Sequence, residues 1–480
     1  MQQDSRSYSR KFFNKINESI NWKSRTIQFI VSFIVALALN HFIFRDALTE
    51  AQSTVLFILI FAIGLWVTEA IPPFAVGILI IGYLVFTMSS LEPENVKQYI
   101  QTWSDSVIWL FLGGFFIAEA MKKTVLDVAL LKFSLPFFGS KSKNILLGLM
   151  LITAFLSMLM SNTATTAMMI ASISPIIYKL GDKAPLTKAL IIGIPTAAAI
   201  GGMGTVIGSA PNAIAVGALD GIGIRISFLE WMMFGIPVAI VLILFFWQAL
   251  LQKYKIKTNR LSLDFLTNEQ LKIENKDNEI TKLQTRITII IILTSLLFWL
   301  TSQWSGIPVA AVSGIPIVGL TMFRILDADD MRKLPWDTLM LVAGGLALGI
   351  AVQQQGLTDY FISFINLASL NYYVLLFVFA IISVVFSNFM SNTATTTIMV
   401  PLALSVTATL PNISDKILPL IIALTASCAL LLPVSTPPNA IAFSTGKLEQ
   451  SDFRFGGILI GLLGPIIVIF WLLVLQLFTL

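Results

Sequence analysis

Two heptapeptides carry the chemistry of this chain. Met160-Ser161-Asn162-Thr163-Ala164-Thr165-Thr166 returns as Met390-Ser391-Asn392-Thr393-Ala394-Thr395-Thr396, each inside a long apolar block without charge. Ser, Asn and Thr are preferred at helix N-caps, so each Ser-Asn-Thr triplet marks a place where one helix stops and another starts. A helix start presents free N–H groups and the positive end of its dipole. Such an end holds an anion without any cationic side chain. Two of them meeting near the middle of a membrane would suit two carboxylates at opposite ends of one small molecule. Asn162, Thr163, Asn392 and Thr393 would then donate to it.

The same breaks expose oxygens for a cation. Ser157 lies four residues before Ser161, and Ser387 four before Ser391, so each pair shares a helix face. A second repeat, Pro211-Asn212-Ala213-Ile214-Ala215, returns as Pro438-Asn439-Ala440-Ile441-Ala442. The loops leading into it, Gly208-Ser209-Ala210 and Ser435-Thr436-Pro437, contribute further oxygens, and proline leaves carbonyls unpaired. A hard monovalent cation such as Na⁺ could sit between each triplet and its neighbouring loop. Small polar residues also serve simply to let transmembrane helices pack closely. Two copies, each with its own Pro-Asn loop, argue against that reading here. Gly113-Gly114 and Gly344-Gly345, a third repeat, are better read as packing sites, and Glu69 and Glu119 as charges at helix ends. His41, the single histidine, is read as interfacial.

The elements that position these residues follow from composition. The chain has 480 residues, 56% apolar and 12% charged, with a mean hydropathy of +0.85. Soluble proteins carry about 25% charged residues. Apolar runs long enough to cross a bilayer recur throughout, which predicts an all-α polytopic membrane protein. One cysteine, Cys428, excludes an internal disulfide. The net charge of +5 marks cytoplasmic loops, not nucleic-acid binding. No HExxH, Walker loop or Ser/His/Asp set is present, so an enzyme is not expected. No cleavable signal peptide is visible; Phe12, Phe13, Ile16 and Ile20 suggest a short helix on the inner surface.

The three repeats recur in the same order at offsets of roughly 230 residues, which divides the chain into homologous halves. Residues 1–53 hold a cytoplasmic segment and the first span. Residues 54–251 form the first half, with a hairpin at 145–178 and a broken helix at 189–218. Residues 252–286 are a charged cytoplasmic linker. Residues 287–480 form the second half, with a hairpin at 372–410 and a broken helix at 417–445. Amphipathic stretches containing Leu126 and Leu357 follow the two Gly-Gly spans. Lysines and arginines orient the chain. Lys141 and Lys143 precede the first hairpin and Lys179 and Lys183 follow it, so it enters and leaves on the inside. The halves are then inverted, a recurrent transporter plan. The expectation is eleven transmembrane helices plus two re-entrant hairpins, in the plasma membrane, with the N-terminus cytoplasmic and the C-terminus outside.

Together with Thr68-Glu69-Ala70-Ile71-Pro72, these doubled motifs resemble the divalent anion/sodium symporter family from about residue 26 to the end. The resemblance implies a homodimer and an elevator-type transporter of small dicarboxylates or citrate-class anions, by Na⁺ symport or by exchange. It implies substrate contacts from Asn162, Thr163, Asn392, Thr393, Ser209 and Thr436. One Na⁺ site would comprise Ser157, Ser161, Asn162 and Gly208, and the other Ser387, Asn392 and Ser435. Ala210 departs from the pattern, standing where many relatives have proline. The alternatives are a carrier of inorganic divalent anions such as sulfate, and an anion channel. A channel would line its pore with charge or an open constriction, and the sequence offers neither.

Overall fold

The computed structural model describes residues 24–42, 48–182, 184–256, 260, 281–357, 371–408, 414–433 and 435–477. The surface helix expected near Phe12–Ile20, most of the 252–286 linker and the amphipathic stretch beyond Leu357 lie outside them. Among the described residues there is no sheet, only one isolated bridge between Lys141 and Arg260.

The first half runs α1 (Ser24–Phe42), α2 (Glu50–Thr68), α3 (Pro73–Leu91), α4 (Ser106–Lys123), α5 (Leu126–Ser134), α6 (Ser142–Ser157), α7 (Asn162–Leu180), α8 (Pro185–Gly201), α9 (Ala210–Gly221) and α10 (Phe228–Lys253). The second runs α11 (Lys282–Leu300), α12 (Val309–Met322), α13 (Trp336–Gln354), α14 (Tyr372–Phe389), α15 (Asn392–Ala408), α16 (Ile417–Ala426), α17 (Pro437–Ser444) and α18 (Gln450–Gln476). Their starts follow ordinary capping chemistry. Thr49, Ser227 and Thr281 each form a capping box with the residue three positions on, and Pro73 and Pro185 sit at the first helical position.

Among the described residues, ten helices are long and apolar enough to cross a membrane. The protein is therefore an all-α, multi-pass membrane protein. The ten differ from the expected eleven in composition. They include α14, an arm of a hairpin. They leave out α12, which is only 14 residues long, and the span broken into α16 and α17.

Lipid tails are as apolar as leucine, so helices in a bilayer associate through close fit. The two Gly-Gly helices show how. α4 packs on α12 of the other half, and α13 on α3. A methyl group added at Gly344 would lie 2.2 Å from the Gly77 Cα, and one at Gly113 2.8 Å from the Ser313 Cβ. Either would force the helices apart. The halves are thus interlocked, each presenting its glycine helix to a helix of the other. The hairpins interlock likewise: the second arm α7 packs on α17, and its counterpart α15 on α9.

At one end, two buried aspartates tie neighbouring elements together. Asp330, after α12, pairs with Lys123 at the end of α4. Asp452, at the start of α18, accepts from Lys188 Nζ at 3.3 Å and Tyr254 Oη at 2.8 Å. Burial, and then the carboxylate it donates to, push the Tyr254 phenol well above its ordinary range.

A candidate site for an anion and its cations

Both triplets fall at helix breaks. Ser161 is extended (φ −64°, ψ 143°) and its Oγ accepts from Ala164 N at 3.2 Å, opening α7 with Asn162 as its first residue. Ser391 repeats the cap, accepting from Ala394 N at 3.1 Å at the start of α15. A cap of this kind is worth about 1 kcal/mol.

The broken helices α8–α9 and α16–α17 carry the matching loops. Asn212 Nδ2 donates to the carbonyls of Gly202 and Thr205, both at 2.8 Å, which fixes the turn that presents Gly208 and Ser209. Trp231 Nε1 braces the same turn at Met203 O, 2.9 Å away. Asn439 Nδ2 does the equivalent work at Leu432 O, 3.1 Å away, and Thr436 Oγ1 caps α17 through Asn439 N at 3.3 Å. The Pro-Asn asparagines therefore hold the loops in shape through their amide nitrogens.

Tips and loops from both halves line one cavity of about 240 Å³. Ser161, Asn162 and Thr163 face it with Gly208 and Ser209; Ser391, Asn392 and Thr393 face it with Ser435 and Thr436. The far wall comes from Phe111 and Phe115 of α4 and from Pro335 and Thr338 at the start of α13. Among the described residues, no charged one lines it. A larger cavity of about 560 Å³, between Gln98–Asp105 and one face of α13, contains neither triplet.

Oxygens converge behind the first tip. Ser157 is fully buried; its Oγ donates to Ala198 O at 2.8 Å and lies 2.6 Å from the Asn162 amide. The Asn162 side chain faces only acceptors there. Its nitrogen, turned toward them, donates to Ala198 O at 3.1 Å and Gly208 O at 3.2 Å. With its oxygen turned inward, the same group makes an all-oxygen cage. The crowding requires glycine: a methyl at Gly202 would lie 2.5 Å from Asn162 Oδ1, and one at Gly208 2.6 Å from Gly202 O. Behind the second tip, Ser387 Oγ and Asn392 Oδ1 are buried without any hydrogen-bond partner among the described residues. A buried polar atom left unpaired costs about 1–3 kcal/mol. Ser435 Oγ donates to Leu432 O at 2.8 Å. The donor sets at both tips are all oxygen and uncharged, which fits a hard monovalent cation and not a soft, thiolate- or imidazole-bound metal.

The structure thus brings the expected substrate and cation residues to the cavity lining, except Ser157, which lies behind the first tip against Ala198 and Asn162, and Ser387, which is buried on α14. Sequence reasoning missed the Ala198 carbonyl, the wall residues Phe111, Phe115 and Thr338, and the clamping role of Asn212 and Asn439. Only the repeat offset, which pairs the two Pro-Asn loops, signalled the last.

Comparison with known proteins agrees with this architecture. Residues 20–478 match the family described as sodium:sulfate symporter transmembrane region. A sodium-dependent dicarboxylate transporter, SdcS, of Staphylococcus saprophyticus is 30% identical, over 97% of this chain and 94% of its own. SdcS of Staphylococcus aureus strain USA300 is 33% identical, over 84% of this chain and 82% of its own. Among solved structures, Neisseria gonorrhoeae MtrF superposes with a TM-score of 0.55 at 13% identity, covering 84% of this chain and 94% of that one. The Alcanivorax borkumensis YdaH transporter gives 0.52 at 12%, covering 76% and 84%. These two structures bear on the fold alone. Matched from residue 20 to residue 478 and built around two uncharged helix-break tips, the chain belongs to the divalent anion/sodium symporter family, a family of transporters and not of enzymes.

Proposed function

We propose that this protein carries small C4-type dicarboxylates such as succinate, fumarate or malate across the cell membrane together with Na⁺. The observation that carries the reading is the cavity itself. Four helix-break segments from two interlocked halves converge on it, and none brings a charge. Helix N-termini and the Asn and Thr side chains would hold the two carboxylates. Two Na⁺ ions at the flanking oxygen clusters would offset the dianion's charge in a low-dielectric site. The relatives named sodium-dependent dicarboxylate transporters support symport over exchange.

The carrier would work as an elevator. The hairpins, the broken helices, α10 and α18 would move as one body against a scaffold of α2–α4 and α11–α13, in a homodimer. The N-terminus would lie in the cytoplasm and the C-terminus outside. Uptake of labelled succinate into proteoliposomes tests the function. Na⁺-driven accumulation in empty vesicles is expected, blocked by unlabelled dicarboxylates. Uptake only into dicarboxylate-preloaded vesicles without Na⁺ would establish exchange. Sulfate uptake insensitive to succinate would replace the dicarboxylate reading.

A further inference from the structure

Ser427 is a further orphan of the second half, beside Ser387, Asn392 and the Thr395 hydroxyl. It caps the C-terminal end of α16 at the helix break, is fully buried, and its Oγ has no hydrogen-bond partner among the described residues. Its place follows from two contacts. Ser383 Oγ donates to Ile422 O at 3.0 Å, and Asn388 Oδ1 accepts from Leu431 N at 2.8 Å. These contacts advance together along both segments, so α14 and α16 run parallel. Ser387 and Ser427 both fall between them.

The first half offers a matching register, one residue short of the heptapeptide offset. Thr196-Ala197-Ala198 corresponds to Thr425-Ala426-Ser427, and both threonines bond back to the carbonyl four residues earlier. Ser157 corresponds to Ser387 through the heptapeptide repeat. In the first half Ser157 Oγ reaches Ala198 O. Residue 427 thus stands in the second half where the neighbour of the cation-facing serine stands in the first. There the first half offers a methyl group, and the second a hydroxyl.

We infer that Ser427 Oγ is a ligand of the cation held behind the second tip, together with Ser387 Oγ and Asn392 Oδ1. This rests on the Na⁺-coupled reading above and adds an inequality between its two sites. The first cluster satisfies itself through Ser157 and Asn162 when empty. The second leaves three oxygens unpaired until a cation enters, and so binds Na⁺ more tightly.

The test is Na⁺-dependent thermal stabilisation of the full-length protein in detergent, titrating NaCl against choline chloride without dicarboxylate. Ser427→Ala, the residue the first half already uses, should raise the Na⁺ midpoint roughly tenfold, the usual scale for disturbing a metal shell. It should leave the unfolding temperature in choline unchanged or higher, since an orphan hydroxyl is removed. Ser427→Thr, which keeps the hydroxyl, should restore most of the affinity. An unchanged midpoint in Ser427→Ala, beside a wild type that responds to Na⁺, overturns the ligand assignment and leaves the coupling intact. A wild type indifferent to Na⁺ overturns both.

Discussion

The second arms of the two hairpins open on the same Asn-Thr-Ala-Thr-Thr and lie in opposite surroundings. On α15, Thr397 and Pro401 are buried against Gly345 and Gly349 of α13. On α7 the equivalent face, Ala167, Ala171, Ser174 and Tyr178, is exposed, and α7 packs on α6, α8 and α17. A crevice of about 1110 Å³ runs along it, past Ser174 and Tyr178 to Asp182 and Lys447. Two segments that share the start Asn-Thr-Ala-Thr-Thr thus differ in their surroundings: one is closed against α13, the other is open to the crevice. The two glycines of α13 that receive α15 have counterparts in α4, where Gly114 matches Gly345 and Ala118 matches Gly349. In this structure Gly114 is buried against Ile207 and not against α7; in the carrier proposed above, it would receive α7 in the opposite state.

Four experiments would break or sharpen that contrast. The largest effect belongs to the tips. Asn162→Ala or Asn392→Ala should bring dicarboxylate uptake in proteoliposomes to background while the protein still elutes as a folded species; normal rates in both would dissolve the assigned site. Next come cross-links in a Cys428→Ser background. The pair Gly349→Cys and Pro401→Cys should join readily in the state described. The pair Ala118→Cys and Ala171→Cys should join only as the carrier cycles, and then lock it. Efficient joining of the second pair in a protein already locked through the first would show that α7 does not exchange places with α15.

The third concerns the interlock. Gly344→Leu forces a side chain into the Gly77 backbone and should cost about 1–3 kcal/mol of stability, read as a lower unfolding temperature in detergent. Gly82→Ala, with open space around it, should cost far less. The smallest effect is in the caps. Ser161→Ala and Ser391→Ala should each cost about 1 kcal/mol, and equal losses would show that the tips are alike before any ligand distinguishes them.

The hairpins were legible because their signal is local. An uncharged Ser-Asn-Thr triplet inside an apolar run is a strong helix-cap signal, and its repetition fixed the offset between halves. The Gly-Gly pairs read correctly as packing sites for the same reason, since glycine in a membrane helix has few other uses. What they pack on was not legible. That Gly344 meets Gly77 and Gly113 meets Ser313 depends on how the halves interlock, which no periodicity records. The Ala198 carbonyl and the Ser427 hydroxyl stayed hidden because a backbone oxygen has no sequence signature, and one serine in an apolar run has too many. α12 was counted as a span on apolarity, yet has only 14 residues to cross with.

The absence of charge around the cavity has an electrical consequence. A binding site without fixed charge adds nothing to what the moving body carries through the field. For a carrier of the kind proposed, the empty return step then moves no charge at the site, and current per full turnover is the cargo's own balance: neutral with two sodium ions per dianion, inward positive with three. Each uncompensated charge would couple the cycle to about 2.3 kcal/mol per 100 mV of membrane voltage. The ratio of current to labelled flux would count the ions directly.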